Sequence, residues 1–225
     1  MFAVSELWSS TYPGAAVGVL AMGNVLNPAS HADLDRLKKD LEEEIRSRFS
    51  GADKAALKAL PRIQAYNAYY KRYDKTYHVQ FQLESVALKG KPIPRVAALV
   101  EGMFLAELKN MLLTAGHDLG AIQGPVKLDV ASGNERYTLL NGHAQALKPG
   151  DMMMADSQGV ISSVIYGPDH RTRITLETRE VLFAVYAPPG IGEEAVRQHL
   201  LDIQTNVLVV SPEAQVTSLE VHVAR

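Results

Sequence analysis

The spacing of apolar residues along the chain changes near Gly116. Before this residue, apolar side chains recur at helical spacing, whereas after it short apolar runs alternate with turn residues. These runs lie about ten residues apart, a spacing typical of antiparallel β-structure. Turn pairs such as Asn141-Gly142 and Pro149-Gly150 separate them. Helices followed by a series of strands predict an α+β fold with mainly antiparallel sheets.

The first half of the sequence predicts one strand and several helices. An apolar run predicts a strand over 15–25, and Leu34, Leu37, Leu41 and Ile45 predict a helix that begins after an N-cap at Ser30. We expect a second helical stretch over 52–73, interrupted or kinked at Pro61. A short helix over 80–88 and a long apolar helix over 96–112, in the middle of the domain, follow.

The second half predicts mostly strands. We expect an amphipathic helix over 192–206 and strands over 126–130, 136–140, 151–156, 160–166, 172–176, 181–187, 207–210 and 216–223. The Met152-Met153-Met154 run is interpreted as core packing. The sequence contains no repeat, low-complexity tract or linker, so residues 1–225 are predicted to form a single domain.

Composition excludes several kinds of site. The 225 residues contain no cysteine, which excludes disulfides, thiolate nucleophiles and cysteine-based metal sites, and is compatible with a cytoplasmic protein. No two histidines have HxH or HxxxH spacing, so neither a local metal motif nor a cofactor is predicted. We expect no secretory signal and no membrane span.

The charge distribution bears on nucleic-acid binding. A net charge of -2 weakens any strong binding through phosphates alone. Residues 62–95 are nevertheless rich in Lys and Arg, and we expect RNA contacts from Lys71, Arg72, Lys89 and Lys91. The alternative is a solvated helix surface. Five tyrosines over 66–77 could stack on bases or, as the favoured interpretation, pack on a helix with their hydroxyls at the surface.

Two polar clusters are candidate sites. Residues 169–173, Asp-His-Arg-Thr-Arg, combine a histidine beside a carboxylate with two guanidinium groups. His170 could act in acid–base chemistry there, unless the cluster is a solvated hairpin tip. The second cluster is His117-Asp118, placed at the end of the apolar helix, where it could also be a helix cap.

The order of these motifs resembles the tRNA-binding and editing domain of the phenylalanyl-tRNA synthetase β subunit, and more closely its free-standing relatives. The likeness covers about 65–203. It is carried by the Gly90-Lys91-x-x-Pro94 entry to the long helix, by Gly116-x-x-Leu119-x-Ala121 and by the later runs Ala155-Asp156, Val164 to Gly167 and Thr175 to Thr178. The resemblance implies a three-layer arrangement of two sheets and helices.

The resemblance also implies a pocket that receives an aminoacyl group or the 3′ end of a tRNA. We expect this pocket between residues 116–122 and 164–173. Contacts with substrate are expected from Gly120, Tyr166, Thr172 and Arg173, and catalysis from His170 or His117. Gly120 and Gln123 stand where the synthetase has His and Asp, which weighs against the synthetase's own specificity.

Three functions remain open at this point. The first is recognition of an aminoacylated tRNA 3′ end with hydrolysis of the mischarged ester. The second is a non-catalytic module that binds a free amino acid or RNA, and the third is a small-molecule enzyme that reuses the fold. No DNA or membrane partner is expected.

Overall fold

The computed structural model describes residues 2–225. Its helices are α1 (Glu6–Thr11), α2 (Ala32–Arg48), α3 (Lys54–Lys58), α4 (Pro61–Lys71), α5 (His78–Ala87), α6 (Ala98–Asn110) and α7 (Glu193–Val210), with a 3₁₀ turn at Leu119–Ala121. Its strands are β1 (Phe2–Val4), β2 (Ala16–Gly23), β3 (Leu113–Asp118), β4 (Val126–Val130), β5 (Arg136–Thr138), β6 (Ala144–Ala146), β7 (Met152–Asp156), β8 (Gly159–Ser163), β9 (Gly167–Pro168), β10 (Glu180–Ala187) and β11 (Gln215–Val223).

The strands form two main sheets. The first has the order β1-β4-β7-β8-β9 and is antiparallel except for the β1–β4 pair. The second has the order β11-β2-β10-β3 and is antiparallel throughout. The small pair β5–β6 stands apart from both. The α+β class with mainly antiparallel sheets is confirmed.

The four-stranded sheet lies between α7 and the five-stranded sheet. On one face, Thr114 of β3 contacts His199 of α7, and on the other the hydroxyl of Tyr186 in β10 meets Ser162 of β8. Because this sheet is covered on both faces, β2 and β10 are almost continuously buried and apolar. Within residues 2–225, no helix is long and apolar enough to cross a membrane.

Several predicted elements are confirmed. The first strand, α2, α5, the central α6 and the strands over 126–130, 152–156, 180–187 and 215–223 all form. The three methionines of β7 are buried, as predicted. The N-cap prediction is wrong, because His31 rather than Ser30 precedes α2, and it makes no side-chain cap.

Three other expectations about elements are wrong. Residues 207–210 continue α7, because Val207 and Val210 extend the buried stripe of that helix. The predicted strand over 172–176 is replaced by a turn in which Thr175 and Thr178 exchange hydrogen bonds. His117 belongs to β3 and not to the end of the apolar helix, because α6 ends at Met111 in the left-handed conformation.

The 52–73 stretch is interrupted just before Pro61, as one of the two predicted alternatives, and forms the two helices α3 and α4. Pro61 occupies the first turn of α4, where its missing N–H group has no helical partner to lose. The tyrosine hydroxyls that follow are not at the surface. Those of Tyr69 and Tyr70 are buried and donate to Asp151 Oδ1 at 2.6 Å and to the Val164 carbonyl at 2.8 Å. These rings therefore join α4 to the sheets and are unavailable for stacking on bases.

Candidate functional site

A cavity of about 450 Å³ opens between α6 and the two sheets. One wall is a single stripe of α6, because Val100, Met103, Phe104 and Glu107 follow the i, i+3, i+4, i+7 spacing of one helix face. Residues 113–116 of β3 form the adjoining wall. Glu107 is thus a carboxylate at a buried position of a mainly apolar helix.

The opposite wall comes from the five-stranded sheet and the turn after it. It is formed by Ser163, Val164, Gly167, Pro168 and Ile174. The cavity therefore overlaps the predicted pocket in part. It is lined by residues 113–116 of β3, and Gly116 is the one residue of the predicted segment 116–122 among its lining residues.

Gly116 permits close packing at this wall. A Cβ atom at that position would lie 2.7 Å from Ile174 Cδ1 and 3.4 Å from Met103 Sδ. Any side chain larger than hydrogen would therefore push against both walls of the cavity.

Glu107 is the one carboxylate among the described residues that line the cavity. Its side chain is buried, and Oε1 accepts a hydrogen bond from the Thr114 backbone N–H at 2.7 Å. Burial raises the pKa of this carboxyl to about 8, and the Thr114 hydrogen bond opposes part of the rise. Residues 2–225 provide no hydrogen bond to Oε2. The group is thus able to hold or release a proton near neutral pH.

A chain of hydrogen bonds fixes the wall beside Glu107. Asn110 Nδ2 lies 2.7 Å from the Asp202 carboxylate and 3.2 Å from His199 Nδ1. Because Nδ2 donates to both, the imidazole proton of neutral His199 is on Nε2, which donates to Thr114 Oγ1 at 2.7 Å. Burial lowers the pKa of His199 to about 3, which keeps the ring neutral. Thr114 is therefore held in one orientation.

The mouth of the cavity is exposed and carries a cation. Arg173, His78 and Leu140 are exposed lining residues. Arg173 Nη1 donates to the His170 carbonyl at 2.6 Å and lies 3.0 Å from His170 Nδ1. Of the predicted site residues, Arg173 lines the cavity and His170 is brought beside it.

The other predicted catalytic histidine lies behind the wall. His117 is buried, and its Nδ1 is 2.7 Å from Thr172 Oγ1, whose hydroxyl donates to Asp169. Neither His117 nor Thr172 is a lining residue of the cavity. His117 and Thr172 therefore belong to a buried hydrogen-bond network that supports the turn before Arg173.

The remaining predicted contacts lie elsewhere on the surface. Gly120 is exposed, and its N–H donates to Asp118 Oδ1 at 2.9 Å. Tyr166 is half-buried, with Lys75 Nζ 5.4 Å from its ring centre. Neither lines the cavity, so their predicted contacts with substrate would need a ligand that extends beyond it.

The four predicted RNA-binding residues are exposed but form two groups. Lys71 and Arg72 end α4, and the Arg72 guanidinium carbon is 5.2 Å from the centre of the Tyr12 ring. Lys89 and Lys91 follow α5. Within residues 2–225, no group of three or more His, Asp or Glu side chains could hold a metal ion.

Sequence reasoning missed Glu107. The signal was present, since a carboxylate on the cavity stripe of a predominantly apolar helix must be buried with a partner or with a function. Glu101 on the same helix gives the same signal but is explained by an ion pair with Lys38 at 2.7 Å. The sequence alone does not distinguish these two cases.

Comparison with known proteins agrees with this architecture. The family described as the B3/4 domain matches residues 65–205. A phenylalanine–tRNA ligase β subunit of Mycoplasma pneumoniae is 35% identical over 69 residues, which cover 31% of this chain and 9% of that protein.

A solved structure shares the fold. It is an N-terminal fragment of the phenylalanyl-tRNA synthetase β subunit from Pyrococcus horikoshii, with a TM-score of 0.51 and 14% identity over 98% of this chain and 50% of that one. The present chain thus spans about half of that fragment. Because the family match extends over more than half of its length, the chain belongs to the B3/4 domain family.

Proposed function

We propose that this protein binds the aminoacylated 3′ end of a tRNA, holds the aminoacyl group in the cavity and hydrolyses its ester. Membership of a family that includes synthetase domains supports a tRNA-related ligand. The observation that carries the proposal is the buried Glu107 carboxylate on an otherwise largely apolar wall. Such a cavity suits a small apolar group with one polar reacting centre. The substrate implies action in the cytoplasm, where tRNAs are charged.

Hydrolysis of an aminoacyl ester requires one positioned water and one base. Ionised Glu107 takes a proton from the water as its oxygen attacks the ester carbonyl carbon. The bond from that carbon to the ribose oxygen then breaks, and Glu107 returns the proton to the leaving oxygen. The products are the free amino acid and a tRNA with a free hydroxyl. A base with a pKa of about 8 fits this role near neutral pH.

The mouth provides the second recognition element. Arg173 is exposed there and is oriented by its hydrogen bond to His170, so its guanidinium group can meet a phosphate of the RNA. Tyr166 and Gly120 would contact the RNA outside the cavity, whereas His117 and Thr172 would act by positioning the turn that carries Arg173.

A panel of mischarged tRNAs tests the proposal. We expect the protein to release amino acid from at least one of them faster than the uncatalysed rate. Glu107→Gln should lower that enzymatic rate roughly 100- to 10,000-fold, as removal of a general base does. Glu194→Gln, an exposed change of the same kind on α7, should leave it unaltered. The wild-type rate, corrected for hydroxide, should rise with pH through about 8. No acceleration on any tRNA would refute hydrolysis.

A second candidate is a non-catalytic module that binds the aminoacyl group. The position of the two predicted catalytic histidines favours it, because neither lines the cavity. In this case Glu107 would pair with the ligand's ammonium group, and Glu107→Gln would weaken the calorimetric affinity for an amino acid amide. Saturable binding without ester hydrolysis would select this function over the first.

A further inference from the structure

A second groove, which we call the side groove, lies next to the cavity. Its volume is about 270 Å³, and Phe81, Gln82, Val86, Lys91, Ile93 and Phe104 are among its lining residues. Phe104 lines both the cavity and the side groove, so the two spaces are adjacent. A ligand that occupies the cavity and extends past Phe104 would reach the side groove.

Helix α5 forms a continuous rim along both spaces. His78 lines the cavity, while Phe81, Gln82 and Ser85 line the side groove. The spacing from 78 to 81, 82 and 85 places these four side chains on one face of α5. The rim thus runs without interruption from the mouth of the cavity to the side groove.

The side groove combines an exposed aromatic ring with a cation. Phe81 is 52% exposed, which leaves its ring accessible for stacking. Lys91 is exposed at its edge, and the described lining residues include no carboxylate. The Gln82 amide adds a donor and an acceptor. Ring, amide and cation together match a base with a neighbouring phosphate.

The groove is preformed. The backbone N–H of Ile93 donates to Glu42 Oε1 at 2.8 Å, which fixes the Pro92–Pro94 segment against α2. Pro92 and Pro94 further restrict the backbone of that wall. Binding here would therefore require little ordering of the protein.

We propose that the side groove binds the terminal nucleobase of the RNA whose aminoacyl group occupies the cavity. The base stacks on Phe81, and Lys91 neutralises a phosphate beside it. This inference rests on the proposed function and adds to it a subsite for the nucleoside. A peptide partner is the less favoured occupant, because the groove shares Phe104 with the cavity and its one charged lining residue is a cation.

Two small ligands separate the subsites. The first is 3′-amino-3′-deoxyadenosine carrying phenylalanine, leucine or valine in amide linkage, and the second is the corresponding amino acid amide without the nucleoside. For wild type, calorimetry should show that the nucleoside strengthens binding roughly 5- to 100-fold, the effect of stacking one base. Phe81→Ala should abolish this gain and leave the affinity for the amide unchanged. Leu201→Ala, which removes another exposed apolar side chain, should retain the gain.

A matched pair of lysines tests the phosphate contact. With an RNA hairpin ending in a single-stranded CCA and the same amide-linked amino acid, Lys91→Ala should lower the slope of log affinity against log salt by about 0.7. Lys39→Ala, which removes an exposed lysine of α2 outside the groove lining, should not.

The outcomes distinguish this inference from the proposed function. If the nucleoside gain survives Phe81→Ala, or if the two lysine variants behave alike, the side groove is not the nucleoside subsite, while the cavity assignment stands. If wild type binds neither small ligand, both the proposed function and this inference are overturned.

Discussion

Replacing His117 with Asn should change how the stability of this protein depends on pH. His117 is fully buried, and the Thr172 hydroxyl beside it donates to Asp169. His117 Nδ1–H must therefore donate to Thr172 Oγ1, at 2.7 Å, which leaves Nε2 as a bare acceptor. Among residues 2–225, Nε2 has no partner. Burial, with repulsion from Arg171, lowers the pKa of His117 to about 3.

The magnitude follows from this pKa. An unfolded histidine has a pKa of about 6.5, so on acidification the unfolded state takes up the proton first. The stability that neutral His117 contributes is complete above that value and is lost as the pH falls towards about 3. At a pH two units below the unfolded value, the loss is about 2.7 kcal/mol, at 1.36 kcal/mol for each unit.

Urea unfolding at pH 7 and pH 4.5 measures this loss. Asn keeps a donor for Thr172 but does not titrate, so His117→Asn should be less stable at pH 7 because of the volume it removes. Its deficit relative to wild type should shrink by about 2.7 kcal/mol at pH 4.5. Wild type alone is not diagnostic. Burial raises the pKa of Glu107 to about 8 and that of Asp151 to about 6. The stability that these protonated carboxyls contribute is lost as the pH rises, which offsets the opposite pH dependence contributed by the buried histidines.

Replacement of an exposed histidine, His143→Asn, is the control, and it should leave the pH dependence of wild type unaltered. If the deficit of His117→Asn were the same at both pH values, His117 would titrate normally in the folded protein. The reasoning from its buried, unpaired Nε2 would then be refuted.

Two further predictions concern stability. Lys38→Met should lower the free energy of unfolding by roughly 3–5 kcal/mol, because it leaves the buried Glu101 carboxylate, 2.7 Å from Lys38 Nζ, without its cation. Gly18→Ala should cost about 1–3 kcal/mol, because a Cβ atom would lie 2.5 Å from Val196 Cγ1 and separate α7 from β2. Both are measured by urea unfolding at pH 7.

Each of these changes has a matched control. Arg36→Met removes an exposed ion pair with Asp33 and should cost at most about 1 kcal/mol. Gly23→Ala lies in the same strand as Gly18, but its Cβ atom would be 4.0 Å from the nearest atoms, so it should be tolerated. Equal losses in Lys38→Met and Arg36→Met would show that burial does not govern the pair. Equal losses in Gly18→Ala and Gly23→Ala would show that the close approach of α7 to Gly18 does not determine the cost.

The fold was largely predictable because its elements are long and periodic. The stripe of α2 and the alternation of β11 are local patterns that burial of one face imposes on any sequence. Predictions failed where tertiary contacts overrode such patterns. The valines of 207–210 have high β-propensity, yet they form the last turn of α7 because two of them fill its buried face.

The cavity overlaps the predicted pocket only in part. The resemblance implied a pocket between 116–122 and 164–173, and the cavity shares Gly116 with the first segment and four residues, Arg173 among them, with the second. That these residues contact a substrate stays a prediction. His117 and Thr172 are close neighbours of that pocket, but the pleat of β3 and the turn after β9 direct them into a buried network. Which side of a strand faces a cavity depends on its register with its neighbours, and the neighbour of β3 is β10, which is distant in sequence.

The sequence by itself determined the α+β class, the order of most elements, the absence of cysteine chemistry and the family resemblance, because periodicity, composition and motif order are properties of the chain. Only the tertiary structure decided that Glu107 is the cavity carboxylate, that tyrosine hydroxyls of α4 form buried hydrogen bonds, and that the side groove lies next to the cavity. The reason is physical. Burial, a shifted pKa and a shared wall arise from segments distant in sequence, and they exist only once those segments pack together.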